Sequence, residues 1–302
     1  MPAVRLLPRL PTLLLIMLAP LTTALPAAAA DAWLMTYGTA DRIEERFGHN
    51  ALWIRDPDRG IDKVYNFGFF DFDTPGFVFD YLQGDLVYYA VDREPVEELA
   101  YYQWRDRSVR AQLLDLDDRT IRRLTDWLEQ RVQPDTRNFA YDYYFNNCST
   151  RIRDALDYAL DGALREATES TPASLDLREH TRRLIRPDPL LYLGIQAALG
   201  RPVDRARTVW EEMFLPEVVA REIAALQVDD GQGGTRPLVI DDRMLHESAR
   251  PDPASAPSFP WGPALGLLGA ALALILLPYA VVRGRIARLA GWRAWLAFNA
   301  LA

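Results

Sequence analysis

The chain has 302 residues, with 34 basic and 42 acidic side chains and a formal net charge of −8. All the acidic residues lie between Asp31 and Asp252, so this segment alone carries a charge of −14, while the two ends together carry +6. So acidic a body is unsuited to binding phosphate backbones, and we predict no nucleic-acid partner. The single cysteine excludes an intrachain disulfide framework and a multi-thiolate metal site. We predict no cofactor and no metal.

The first thirty residues have the pattern of a secretory signal peptide. Two arginines precede an apolar stretch, and the alanines at 28–30 supply the small residues of a cleavage site. We predict a signal peptide over 1–30 that is cleaved before Asp31. An uncleaved N-terminal anchor is the alternative.

The other end of the chain is apolar as well. Residues 261–282 contain no charge and are long enough to cross a bilayer as a helix, and arginines follow directly. These arginines predict a cytoplasmic end, with the acidic body of residues 31–249 on the outer side of the membrane. We predict a proline-rich linker over 250–260 and a basic, apolar, cytoplasmic or interfacial tail over 283–302. A buried core helix is the alternative for 261–282.

The first half of the body is rich in strand-forming residues. The predicted strands are 33–37, at an edge, then 47–54 and 64–70, which form a hairpin, and 85–93. The second half has helical periodicity, and the predicted helices are 95–105, 117–132, 147–160, 177–185, 190–199 and 208–226. Strands followed by helices predict an α+β fold.

Cys148 is the first candidate for chemistry. It stands at the predicted start of a helix, with Asn146 or Asn147 as the N-cap. Free backbone N–H groups and the helix dipole at such a position favour a thiolate, and the same groups could hold an oxyanion with Asn147 and Ser149. The alternative is a small apolar side chain that is simply packed.

A nucleophilic cysteine needs a base, and His49 is the candidate. It is the one histidine in the β-rich half, whereas His180 lies in a charged helix and is predicted to be solvated. Asn66, on the second hairpin strand, could orient the imidazole. If Arg55 paired with Ile61, Asn66 would face away from His49, and a slip of one residue would put the two opposite each other.

The sequence leaves open the register between the two hairpin strands, 47–54 and 64–70. Asp71 and Asp73 are the alternatives to Asn66 as the orienting group.

Four segments resemble the Lnb-type N-terminal periplasmic domain family. They are FGHNALWI (47–54), YNFGFFDF (65–72), YDYYFNNCSTRIRD (141–154) and LGRPVDRARTVWEEMFLP (199–216). Such domains are similar to circularly permuted NlpC/papain-like enzymes, which implies an antiparallel sheet with helices and a Cys–His acyltransferase. On this resemblance Cys148 is the expected nucleophile and His49 the expected base, with Asn66 as the third residue.

Lnb proteins are implicated in N-acylating bacterial lipoproteins. We therefore expect a membrane-anchored acyltransferase that moves an acyl chain from a phospholipid to a lipoprotein N-terminus through a thioester. A cell-wall amidase or peptidase of the NlpC kind would use the same chemistry on another substrate. A non-enzymatic envelope scaffold, in which the cysteine is merely packed, is the third possibility.

Overall fold

The computed structural model describes residues 29–70, 87–253, 261–282 and 295. Its strands are β1 (Asp31–Tyr37), β2 (His49–Asp56), β3 (Ile61–Phe69), β4 (Val87–Arg93), β5 (Val109–Leu114), β6 (Asn138–Ala140), β7 (Gln227–Asp229), β8 (Thr235–Pro237) and β9 (Val239–His246). Within the described residues, seven of them form one antiparallel sheet in the order β6-β4-β3-β2-β1-β5-β9, and β7 pairs with β8 in a separate ribbon.

The α-helices of these ranges are α1 (Pro95–Trp104), α2 (Asp118–Arg131), α3 (Cys148–Ala159), α4 (Ala163–Thr168), α5 (Leu177–Ile185), α6 (Pro189–Ala198), α7 (Val209–Glu212), α8 (Pro216–Ala225) and α9 (Trp261–Val282). Short 3-10 helices cover Ile43–Glu45 and Arg201–Asp204. An antiparallel sheet covered by helices confirms the predicted α+β class.

Two predictions about the fold are wrong. β1 is central rather than an edge strand, because it pairs with β2 on one side and with β5 on the other. The predicted helix over 208–226 is broken into α7 and α8, since Pro216 lacks the N–H that a continuous helix would need and instead begins α8.

The sheet buries a different cluster on each face. Alternate residues of β1 and β2 such as Leu34, Leu52 and Ile54 join the larger cluster, to which α3 contributes Ile152 and Leu156. The intervening residues face the smaller cluster, whose buried members are Met35, Tyr37, Ala51, Val64, Tyr102, Val109 and Ala111. Side chains alternate between the two faces along a strand, so neighbouring residues of β2 contribute to different clusters.

The C-terminal helix α9 has the bounds that were predicted for a transmembrane segment. In the part of the chain that the structure describes, no helix is identified as long and apolar enough to cross a membrane. The structure therefore confirms a helix here but not a membrane span.

Several predicted features lie outside the described residues. They are most of the signal peptide (1–28), Asp71 and Asp73, linker residues 254–260, and nearly all of the C-terminal tail, 283–294 and 296–302.

Gly48, just before β2, has a positive φ of 81°, and a Cβ built there would lie 2.8 Å from the backbone oxygen of Tyr37. Gly60, in the β2–β3 turn, also has a positive φ, 66°, but nothing lies within 4 Å of its added Cβ. We expect Gly60→Ala to lower the free energy of unfolding by about 1–2 kcal/mol, the cost of a left-handed alanine.

Gly48→Ala should lower the free energy of unfolding more than Gly60→Ala does, because the clash with the Tyr37 oxygen adds to the same backbone cost. Urea unfolding of both variants measures the difference. Equal destabilisation would show that the close approach to Tyr37 does not constrain the start of β2.

Candidate functional site

His49 and Asn66 come together through the register of the β2–β3 hairpin. Ala51 pairs with Asn66, which is neither of the two registers considered from the sequence. In this register Asn66 lies diagonally across from His49 on the same face of the sheet, since residues two apart in a strand share a face. The His49 Nε2 and Asn66 Oδ1 atoms are 2.9 Å apart, which is hydrogen-bonding distance.

The neighbours of Asn66 determine which way its amide faces. Its Nδ2 donates to the Val64 carbonyl at 3.3 Å, and the same amide interacts with the buried carboxyl of Glu98. Both of these partners accept hydrogen bonds, so the Oδ1 is left to accept from His49. We infer that the neutral imidazole carries its proton on Nε2, which leaves Nδ1 with a lone pair and free to take up a proton.

His49 is held in aromatic surroundings. Its ring stacks on Tyr37 with centroids 5.8 Å apart, and on Tyr102 of α1 at 6.5 Å. Burial lowers the pKa of His49 to about 4; the Asn66 hydrogen bond opposes this, and the charges of Arg107 and Arg93 add to it. The imidazole is therefore neutral at physiological pH, as a general base must be.

Cys148 is the first residue of α3, and Asn147 is the N-cap. The Asn147 side chain accepts from the backbone N–H of Thr150 at 2.9 Å and donates to the carbonyls of Tyr143 and Phe214, each at 2.9 Å. Thr150 completes the capping box by accepting from the Asn147 backbone N–H at 2.8 Å. Because these bonds occupy the Asn147 amide, its role in this structure is to fix the helix start rather than to offer a donor to an oxyanion.

The thiol of Cys148 is half-buried at the end of the sheet. Its Cβ lies beside Gly68, where the β3–β4 pairing has a bulge, and its Sγ is 3.8 Å from the Oγ of fully buried Ser149. Burial raises the pKa of the Cys148 thiol, while Ser149, the Asn50 backbone N–H and the Arg107 charge act to lower it. The helix start thus acts in the direction expected from the sequence, but desolvation outweighs it and the neutral thiol is favoured.

Arg107 is a buried cation whose charge acts on both Cys148 and His49. It is only 4% exposed, its Nε donates to the Gly38 carbonyl at 2.8 Å, and its guanidinium lies 4.8 Å from the Tyr102 ring centroid. Its Nη2 is buried without a hydrogen-bond partner within the described residues. A buried donor with no partner is costly, and such donors often occur at functional sites.

Cys148 and His49 are carried by two elements that pack together, the helix α3 and the strand β2. The helix that begins at Cys148 packs on the larger cluster, whereas His49 lies among the aromatic rings of the smaller one. Among the described residues no hydrogen bond joins the Cys148 thiol to the His49 ring, although the charge of Arg107 acts on both.

Three further members of the site were not identified from the sequence: Glu98, Tyr102 and Arg107. Tyr102 and Glu98 lie one turn apart on the inner face of α1, and burial raises the pKa of the Glu98 carboxyl despite the opposing charge of Arg93, 3.9 Å away. The helical periodicity of α1 could have placed Glu98 at a buried position and so marked it as unusual. Arg107 carries no such signal, because it lies in a loop between α1 and β5.

His180 is buried, contrary to the prediction that it is solvated. Its Nε2 lies 2.7 Å from the Glu212 carboxylate, and its Nδ1 accepts from Arg183 at 3.1 Å. The charged residues around it in α5 are therefore partners that satisfy a buried imidazole. This network joins α5 to α7.

Metal ligands do not cluster in the part of the chain that the structure describes, where no group of three or more His, Cys, Asp or Glu side chains could hold an ion.

Comparison with known proteins identifies one family. The model of the Lnb N-terminal periplasmic domain matches residues 19–184, more than half of the chain, and this range includes His49, Asn66 and Cys148. No curated protein and no solved structure matches the chain significantly.

Replacing Arg107 with glutamine should raise the pKa of the Cys148 thiol still further, because the variant loses the nearby positive charge. The rate of thiol alkylation by iodoacetamide as a function of pH gives this pKa directly, since only the thiolate reacts. Arg110→Gln is the control, because Arg110 pairs with Asp242 at 2.6 Å and shares no acidic partner with Arg107. Superimposable profiles for Arg107→Gln and the wild type would contradict an electrostatic role.

Proposed function

Because the chain belongs to the Lnb N-terminal periplasmic domain family, we propose that it is a periplasmic cysteine acyltransferase. The proposed reaction moves an acyl chain from a membrane phospholipid to the N-terminal amine of a lipoprotein through a thioester on Cys148. The observation that carries this proposal is the hydrogen bond between His49 and Asn66, together with a cysteine at a helix start whose thiol is acted on by the same Arg107 charge as the imidazole. A cysteine, an imidazole and an amide that fixes its tautomer are the groups that acyl transfer needs.

In the first half-reaction, the Cys148 sulfur attacks the carbonyl carbon of the phospholipid ester. The thiol proton passes to Nδ1 of His49, and the Asn66 oxygen stabilises the imidazolium through its bond to Nε2. The ester C–O bond then breaks, His49 gives the proton to the departing oxygen, and a lysophospholipid leaves. The products are the thioester and an alcohol.

In the second half-reaction, the α-amine of the diacylglyceryl-cysteine lipoprotein attacks the thioester carbonyl. His49 takes the proton from the amine and returns it to the Cys148 sulfur as the C–S bond breaks. The products are an N-acylated lipoprotein and the free thiol. Backbone N–H groups at the start of α3, including that of Ser149, are the candidates for stabilising the oxyanion of both steps.

Cys148 and His49 are both expected to be uncharged before the substrate binds. A thiol with a raised pKa and an imidazole with a pKa of about 4 do not form a thiolate–imidazolium pair before substrate arrives. Proton transfer from Cys148 therefore accompanies the attack. The absence of a direct hydrogen bond between them does not argue against this role, because catalytic contacts often tighten only when substrate is bound.

The membrane setting rests on the sequence. A signal peptide and an apolar C-terminal segment predict that the body is held at the outer surface of the inner membrane, where both substrates reside. The position of Cys148 as the first residue of α3, where backbone N–H groups oppose the rise in thiol pKa that burial causes, supports an enzyme over a scaffold.

Replacing Cys148 with alanine should abolish N-acylation, because no other thiol exists in the chain to form the thioester. Mass spectrometry of lipoprotein N-termini from cells that depend on this protein measures the outcome. Ser170→Ala, at an exposed position outside the candidate site, is the control and should retain the activity.

Normal N-acylation with the Cys148 variant would refute the proposal. Loss of cell-wall amide cleavage in that variant, with lipoproteins unaffected, would instead identify an amidase or peptidase.

Acylation of Cys148 should show no loss of rate between pH 7 and pH 5, because His49 remains neutral down to about pH 4. Below that value the imidazole becomes protonated and can no longer accept the thiol proton, so the rate should fall. The intact mass of the acyl-enzyme after timed mixing with a soluble ester gives the rate at each pH.

His49→Gln should lower this rate by about 100-fold or more, the usual contribution of a general base, while His246→Gln serves as the control. An inflection near pH 6.5 in the wild type would show that His49 is not the buried neutral base described here.

A further inference from the structure

Helix α1 has apolar side chains on the face that points to solvent. Val96, Ala100 and Trp104 are spaced four residues apart and therefore lie in one row, and Val96 is 79% and Trp104 77% exposed. Tyr101 lies beside the row, with its ring centroid 6.2 Å from that of Trp104. We call these four residues the α1 stripe.

The stripe reverses the usual pattern of a surface helix. An amphipathic helix normally turns its polar face to water, whereas α1 buries Glu98 and exposes a tryptophan and a valine. Contiguous exposed apolar side chains commonly mark an interaction surface.

The chain leaves the folded body next to this stripe. After β9 it returns to the turn that follows α1, where Ser248 donates its hydroxyl to the Asp106 carbonyl at 2.7 Å and the Ala249 N–H donates to the Asp106 carboxylate at 3.1 Å. Arg250 donates to the same carbonyl at 3.1 Å and pairs with Asp41. Asp106 is two residues after Trp104, so the exit point is fixed at the C-terminal end of the stripe.

The segment beyond this exit leads to the apolar helix α9. Ten residues lie between Arg250 and Trp261, and the eleven steps along the chain limit the distance between them to at most about 40 Å. Leucines along α9 are exposed, among them Leu267 and Leu274. Any surface that receives α9 therefore lies within a short reach of the α1 stripe.

We propose that the α1 stripe docks on the surface of a phospholipid bilayer and so brings the Cys148 site to its acyl donor. Tryptophan and tyrosine favour the membrane–water interface, where the ring meets lipid and the polar edge meets the headgroups. The Arg105 guanidinium, 5.7 Å from the Trp104 ring centroid, lies at the rim where phosphates would be.

This docking places the reaction beside the membrane. The opposite face of α1 carries Tyr102, which stacks next to His49, so one helix joins the stripe to the candidate base. The inference concerns how the site meets lipid, and in that respect it rests on the proposed function.

Charge alone does not explain such binding. Acidic Asp41, Glu44 and Glu97 lie near the stripe as well as basic Arg42 and Arg105. We therefore expect contact through the rings, with little dependence on salt, because burial of apolar surface is not screened by ions.

Fluorescence quenching tests the docking in the full chain. The protein is reconstituted in phosphatidylcholine vesicles that contain lipid brominated near the glycerol end of its chains, and the emission of Trp104 is obtained by subtracting the Trp104→Phe signal from that of the wild type. We expect strong quenching that persists in high salt. Emission that is quenched no more than in vesicles without brominated lipid would overturn the proposal.

The control places a tryptophan on another exposed part of the body. Tyr158→Trp in the Trp104→Phe background uses a position on α3 that is 48% exposed, and its emission should not be quenched. Quenching of both positions to the same extent would show that the body lies on the membrane without orientation, which also contradicts the proposal.

An activity measurement separates this surface from the chemistry. Val96→Ser combined with Trp104→Ser should slow acylation of Cys148 by a phospholipid in vesicles about tenfold, the equivalent of about 1.4 kcal/mol of lost binding, and leave acylation by a soluble short-chain ester unchanged. Leu190→Ser, at a position 83% exposed on α6, is the matched control and should change neither rate.

Equal slowing with both donors would refute a docking role. If the wild type forms no thioester with either donor, the proposed function fails, while the quenching result still decides whether the stripe meets lipid.

Discussion

The register between β2 and β3 is the constraint on which the candidate site depends. Because Ala51 pairs with Asn66, the amide lies one diagonal step from His49 on the same face, close enough for the 2.9 Å contact. A shift of one residue would send Asn66 into the opposite cluster and leave the imidazole without its orienting partner. The turn that joins these strands thus has a chemical consequence, since it determines which nitrogen of His49 carries the proton.

Much of the fold could be predicted, because local patterns determine it. The helical periodicity predicted both ends of α5, and it predicted the ends of α2 and α3 to within one residue. The central position of β1 could not be predicted, since it depends on pairing with β5, which lies far away in sequence. Likewise, Cys148, His49 and Asn66 could be selected by residue type, but the contact between His49 and Asn66 depends on the strand register. Arg107 and Glu98 belong to the site because the fold buries their side chains there, and the local sequence does not indicate which residues they meet.

Burial shifts the pKa values of the two candidate groups in opposite directions and leaves both groups neutral. It raises the pKa of the Cys148 thiol and lowers that of His49, because each group loses the hydration that would stabilise its ion. A neutral thiol is less reactive toward adventitious electrophiles than a thiolate. The same environment that suppresses reaction in the empty site strengthens the electrostatic stabilisation of charge that develops when an ester is attacked.

The turn at Asp106 links parts of the protein that are distant in sequence. Its carbonyl accepts from Ser248 and Arg250, while the next residue, Arg107, carries the cation that acts on Cys148 and His49. A pull on the chain beyond Arg250 is therefore transmitted first to this turn. Mechanical load from the C-terminal segment would be borne at Asp106, next to Arg107 in the chain, so that the exit of the chain and the electrostatics of the thiol share a single turn.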